Sequence, residues 1–103
     1  MSAVILQRRL RAVHERLKRL RAELAVTEEQ AQYLEEEAED ARLRALVAET
    51  PITDAEAAEA RRHADAIGAH REHLRREIQR LVAEQDTLLD RMAAELAASR
   101  GAR

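Results

Sequence analysis

One spacing governs the first half of this chain. From Leu6, steps of four and three residues land on Leu10, Val13, Leu17, Leu20, Leu24, Thr27, Ala31, Leu34, Ala38, Ala41, Ala45 and Ala48, and every stop but Thr27 is apolar. A seam that repeats every 3.5 residues belongs to a helix wound against a partner helix. The second half carries a seam of its own: Ala57, Ala60, Ala64, Ile67, Arg71, Leu74, Ile78, Leu81, Gln85, Leu88 and Met92. Arg71 and Gln85 interrupt it, which reads as register control, or as an arginine stem snorkelling over a small neighbour. A polar pocket for a ligand is the functional alternative at these two positions.

Between the seams stands the one strong break, Thr50-Pro51-Ile52-Thr53. Proline lacks an N–H and disfavours helical geometry in the residue before it. Thr53-Asp54-Ala55-Glu56 then reads as a capping box that starts a second helix at about residue 54. A rival start has Thr50 as N-cap and Pro51 as the first helical residue. Ser2 is the expected N-cap of the first helix and Gly101 the expected stop of the second.

Two long helices on a short connection fold back antiparallel. Seam positions whose numbers add to 101 or 102 then face each other, from Leu10 with Met92, through Leu24 with Ile78 and Leu34 with Ile67, to Ala45 with Ala57. The expected fold is all-α. It is a single domain in which helices over about 2–49 and 54–100, with a turn at 50–53, form an antiparallel coiled-coil hairpin that pairs into a four-helix bundle. The seam is mostly Ala near the turn and mostly Leu, Ile and Met near the termini, so hydrophobic stabilisation concentrates at the open end. The turn half is expected to be the more mobile.

Composition narrows the function classes. Charged residues make up 37% of the 103 residues, yet the net charge is only −2, which argues against whole-surface attraction to DNA or acidic membranes. The single Tyr is the only aromatic and there is no Cys, so neither a disulfide frame nor a thiolate site is available. Val4-Ile5-Leu6 is too short for a signal-peptide core, and no run approaches the ~20 apolar residues of a membrane span. A soluble cytoplasmic protein is expected. Arg outnumbers Lys seventeen to one and Ala is abundant, a codon bias that suits a GC-rich bacterium.

Charge is sorted along the chain. Residues 1–24 hold seven basic and two acidic side chains, whereas residues 25–59 hold two basic and eleven acidic. Arg8, Arg9, Arg11 and Arg16 are the candidate phosphate contacts of a nucleic-acid-binding arm. Their apolar stripe is already used by the seam and no aromatic interleaves them for base stacking, so this reading is not favoured. Glu28 with Arg75 and Arg16 with Glu84 are complementary flanking pairs in the inferred register. Glu23 with Glu77 and Arg9 with Arg91 are like-charged.

Other chemistry finds little support. His63, His70 and His73 lie on helix 2 opposite the Glu35-Glu36-Glu37 and Glu28-Glu29 segments of helix 1, and ion pairing accounts for them more simply than a metal, which needs three or four converging ligands. No Gly-rich phosphate loop or nucleophile–His set is present. The expected protein is not an enzyme and carries no cofactor. Val82, Leu89 and Leu96 recur every seven residues beside the helix 2 seam, and Ile5, Val26 and Tyr33 do something similar on helix 1. A two-helix hairpin buries one seam per helix, so extra stripes point to further helices.

In architecture the chain is similar to transcript-cleavage and stringent-response factors, through the acidic residues Glu49, Asp54 and Glu56 at its turn. That similarity implies a regulator whose tip docks on a larger machine such as RNA polymerase. Those factors also use a second domain for docking, which has no counterpart in these 103 residues. The cyclic di-GMP motif of actinobacterial anti-sigma hairpins, Glu-x3-Ser-x2-Arg-x3-Gln-x3-Asp, matches no segment. The favoured function is a non-enzymatic adaptor or scaffold with a protein partner and a homodimeric state. Val82, Leu89 and Leu96 are its expected self-association face.

Overall fold

The computed structural model describes residues 2–101. It consists of two helices, α1 over Ala3–Ala48 and α2 over Pro51–Gly101. They form an antiparallel hairpin, and among the described residues there is no strand. Ala, Leu, Glu and Arg fill both helices and are all strong helix formers.

The helix ends are set by local hydrogen bonds. At the start of α1 the Ile5 amide donates to Ser2 Oγ at 3.3 Å, so Ser2 is the N-cap that the sequence predicts. At its end Glu49 adopts φ 53°, in the left-handed region. Its amide donates to the Ala45 carbonyl at 3.0 Å, which closes α1 with a left-handed cap. α2 begins at Pro51, three residues before the expected start at 54. The rival reading holds because Thr50 and Thr53 cap each other reciprocally. The Thr53 amide donates to Thr50 Oγ1 at 3.2 Å and the Thr50 amide to Thr53 Oγ1 at 3.3 Å. Thr53 therefore lies inside the first turn and has no need of Glu56 as a box partner. The turn shrinks to Glu49 and Thr50. Gly101 is the last described residue of α2, and its φ is not positive.

The chain divides into two compact units. The turn unit spans Glu23–Arg75, and the base unit comprises Met1–Ala22 with Arg76–Arg103. In the turn unit the buried residues are Thr27, Ala31, Ala38, Ala41, Ala64 and Leu74, with Leu24, Leu34, Ala45, Ala57, Ala60 and Ile67 half-buried. Arg75 Nη2 donates to Glu28 Oε1 at 3.3 Å, the pair anticipated from the register. Ala41 and Ala60, which face each other in that register, line one shallow pocket. Ala48 alone of the α1 seam is exposed, because the helix ends there.

In the base unit the buried residues are Leu6, Val13, Leu17, Leu20, Leu81 and Leu88, with Leu10, Ile78, Gln85 and Met92 half-buried. Each large side chain of this set contributes ~1.5–3 kcal/mol by leaving water, whereas an alanine of the turn unit contributes far less.

Candidate functional site

The histidines of α2 do not converge. No group of three His, Cys, Asp or Glu among the described residues lies close enough to hold a metal ion. His70 and His73 stack with ring centroids 6.5 Å apart. His70 Nε2 lies 3.2 Å from Glu23 Oε1, and His63 Nε2 lies 3.9 Å from Glu59 Oε1 on its own helix. Their carboxylate partners are thus Glu23 and Glu59, not the Glu28–Glu29 and Glu35–Glu37 segments expected from the sequence. Glu23 is occupied by His70, and Glu77 is bound by Arg80 at 2.8 Å. Glu84 lies 3.8 Å from Arg80 on its own helix.

What the surface offers is apolar side chains at two places. In the base unit Leu89 and Leu96 are 51% and 48% exposed, and Val82 is half-buried. Val4 and Ile5 are also exposed there. Arg8, Arg9, Arg11 and Arg16 are exposed on α1 of the same unit. In the turn unit Leu46, Val47 and Ile52 are 61%, 87% and 72% exposed, beside Leu43. Reading the sequence for acidic residues at the turn passed over this apolar group. Its signal was present: Leu43, Leu46 and Val47 stand at i, i+3 and i+4, on the face of α1 opposite the seam residues Ala41, Ala45 and Ala48. Val26 and Tyr33 are exposed further along the same helix.

The acidic residues predicted for the tip take different positions. Glu49 is the left-handed residue of the turn. Asp54 sits in the first turn of α2, where the helix dipole favours a negative charge. Glu56 lies two residues further on and lines a shallow pocket with Arg44, Glu59 and His63. All three are exposed.

A third feature is a groove of about 620 Å³ in the turn unit. Its floor contains Ala31, Ala64 and Gly68, and its rim includes Glu28, Glu35 and Arg61. A Cβ added at Gly68 would meet nothing within 4 Å. Arg71 lines the same groove, as expected from its place opposite Ala31. Its side chain is 35% exposed, and its Nε is buried without a hydrogen bond, 3.6 Å from Glu72 Oε1. Gln85 is half-buried in the base unit.

Electrostatics are local. Arg61 holds the Glu35 carboxyl below its ordinary value, mainly through their hydrogen bonds, and is itself raised by the same contact. Arg42 lowers Glu39 in the same way. A comparison with known proteins finds no matching family model, no matching curated protein and no matching solved structure. Among the described residues no helix is long and apolar enough to cross a membrane.

Charge divides at the boundary between the units. The base unit holds twelve basic and six acidic residues, a net of +6, and the turn unit six basic and fourteen acidic, a net of −8.

Proposed function

We propose that this chain is a non-enzymatic, cytoplasmic interaction protein, an adaptor or scaffold that works through helix–helix contacts and self-associates. The observation that carries this reading is the exposure of Leu89 and Leu96 in a base unit whose seam is already filled. Regularly spaced leucines left in water beside a finished core are a surface for another helix. Pairing of two hairpins into a four-helix bundle covers them. Light scattering over a range of concentrations tests this: a dimer is expected for the natural chain and a monomer for Leu89→Glu. A natural chain that stays monomeric throughout removes the reading.

A second reading rests on the tip. Leu46, Val47 and Ile52 are strongly exposed around a turn that holds a glutamate, not a glycine, at φ 53°. An apolar tip ringed by Glu49, Asp54 and Glu56 suits an apolar socket with a basic rim on a larger partner. Reversing those three charges is expected to abolish capture of such a partner while leaving self-association intact.

A further inference from the structure

Seven-residue steps put Arg61, Arg75, Val82, Leu89 and Leu96 at one flank position of the α2 heptad, and Gln7, His14, Arg21, Glu28 and Glu35 at the matching position of α1. In the turn unit these positions meet as ion pairs, Arg75 with Glu28 and Arg61 with Glu35. In the base unit the pattern changes on both helices. The register places Val82 beside Arg21 and Leu89 beside His14, so neither helix offers the other a matching side chain. Leu89 and Leu96 are left about half exposed. Arg11 and Lys18 stand four residues on from Gln7 and His14, on the outer edge of the same face. Among the described residues Arg11, Lys18 and Arg21 make no hydrogen bond or ion pair, and all three are exposed. The base unit therefore presents a furrow with an apolar wall on α2 and a cationic wall on α1. Asp86, four residues on from Val82, is the one carboxylate at these positions.

We propose that this furrow holds an acidic amphipathic helix of another protein, its apolar stripe on Val82, Leu89 and Leu96 and its carboxylates along Arg11, Lys18 and Arg21. The proposal rests on the reading of Leu89 and Leu96 as a helix-binding surface and goes beyond self-association by naming a different occupant. Spacing argues for a helix. Apolar residues seven apart meet the stripe of a partner helix at every second turn. Flank positions also border the gap between two helices, which a rod enters more readily than a flat bilayer does. Charge argues for the sign. The furrow carries three cations against one carboxylate, so a helix edged with Glu or Asp finds three opposite charges and a helix edged with Lys or Arg finds one. A second copy of the same face brings three more cations to it. An acidic helix therefore meets attraction where a second copy meets repulsion, and displaces that copy from a dimer.

The probe is a fluorescein-labelled peptide of about 21 residues, three heptads long, with Leu at the seam spacing, Glu along one edge and Ala and Gln elsewhere. Its counterpart has Lys in place of every Glu. Fluorescence anisotropy with the full chain measures both. The Glu peptide is expected to bind at least about tenfold more tightly, and to weaken several-fold as salt rises from about 0.05 M to about 0.5 M. Arg11→Glu, Lys18→Glu and Arg21→Glu, combined in one chain, are expected to reverse the preference between the two peptides. All three residues are exposed, so the hairpin keeps its helicity, which circular dichroism checks.

Equal binding of the two peptides, or a preference that the charge reversal leaves unchanged, overturns the proposal. So does a chain that ignores the Glu peptide and binds vesicles of phosphatidylserine and phosphatidylcholine, which makes the furrow a lipid surface. Light scattering on the same samples separates these results from self-association. A dimer that the Glu peptide neither binds nor dissociates overturns the acidic occupant and leaves self-association standing. A monomer that binds the Glu peptide removes self-association and supports the acidic occupant.

Discussion

Arg61 grips Glu35 with both prongs of its guanidinium, Nη1 to Oε1 at 2.8 Å and Nη2 to Oε2 at 2.5 Å, joining α2 to α1 across the turn unit. The fork-to-fork geometry strengthens and orients the contact. Both side chains are largely in water, which screens it.

The pH dependence follows from that contact. Hydrogen bonds from Arg61 hold Glu35 below its ordinary value of 4.5, and hydrogen bonds from Arg42 do the same to Glu39. A carboxyl lowered in the folded state contributes stability above its unfolded value and loses it as pH falls through the folded value. The Glu35→Gln chain is therefore expected to melt below the natural chain at neutral pH. The gap should close as pH drops from about 5 to about 3. Thermal melts by circular dichroism at a series of pH values check this, and a gap that widens on acidification contradicts it.

Glu49 offers a backbone test. A left-handed φ costs a residue with a Cβ about 1–2 kcal/mol and costs glycine almost nothing, though glycine also loosens the unfolded chain. At φ 53° Glu49→Gly should stabilise the hairpin by about 0.5–1 kcal/mol in urea unfolding. If the chain is destabilised instead, the glutamate side chain contributes to the turn beyond its backbone.

The helix start separates two sequence readings that looked equally sound. Thr50 Oγ1 accepts the Thr53 amide at 3.2 Å, while Glu56 lies beyond the first turn. Thr50→Ala is expected to cost about 1 kcal/mol, and Glu56→Ala to change stability by less than about 0.5 kcal/mol. Equal losses from the two substitutions, measured by denaturant unfolding, contradict the observed cap.

The seam was legible because a 3.5-residue period involves every turn of both helices, so one misread residue does not change the pattern. Glu28 with Arg75 followed from the register alone. The Thr50–Thr53 box was harder to read, because Thr53 stands where such a box usually has Glu or Gln. The partners of His63 and His70 were not legible, since several carboxylates lie within reach of a flexible side chain and rotamers decide between them. The apolar group of Leu43, Leu46 and Val47 was masked by the charges that flank it at the turn. Gly68 stood in the sequence as a residue of low helix propensity, and its place in the lining of the groove shows only in the structure.

The two units should differ in how they yield. Leu17 is almost fully buried in the base unit, so Leu17→Ala leaves a cavity and should cost about 2–5 kcal/mol. Ala41 is equally enclosed in the turn unit, where the seam is small. Ala41→Leu adds bulk instead of removing it and should cost about 1–3 kcal/mol by forcing the helices apart. Because the alanine seam buries little apolar area, opening the turn unit exposes less surface than opening the base unit. Amide hydrogen exchange should therefore be faster at seam positions 38–64 than at seam positions 13–20 and 81–88. In Ala41→Leu the increase in exchange should stay within the turn unit, whereas Leu17→Ala, which removes the main source of hydrophobic stabilisation, should raise exchange in both. Uniform protection along the two seams would mean that the hairpin opens as one cooperative body, and the alanine seam would then owe its stability to something other than its own burial.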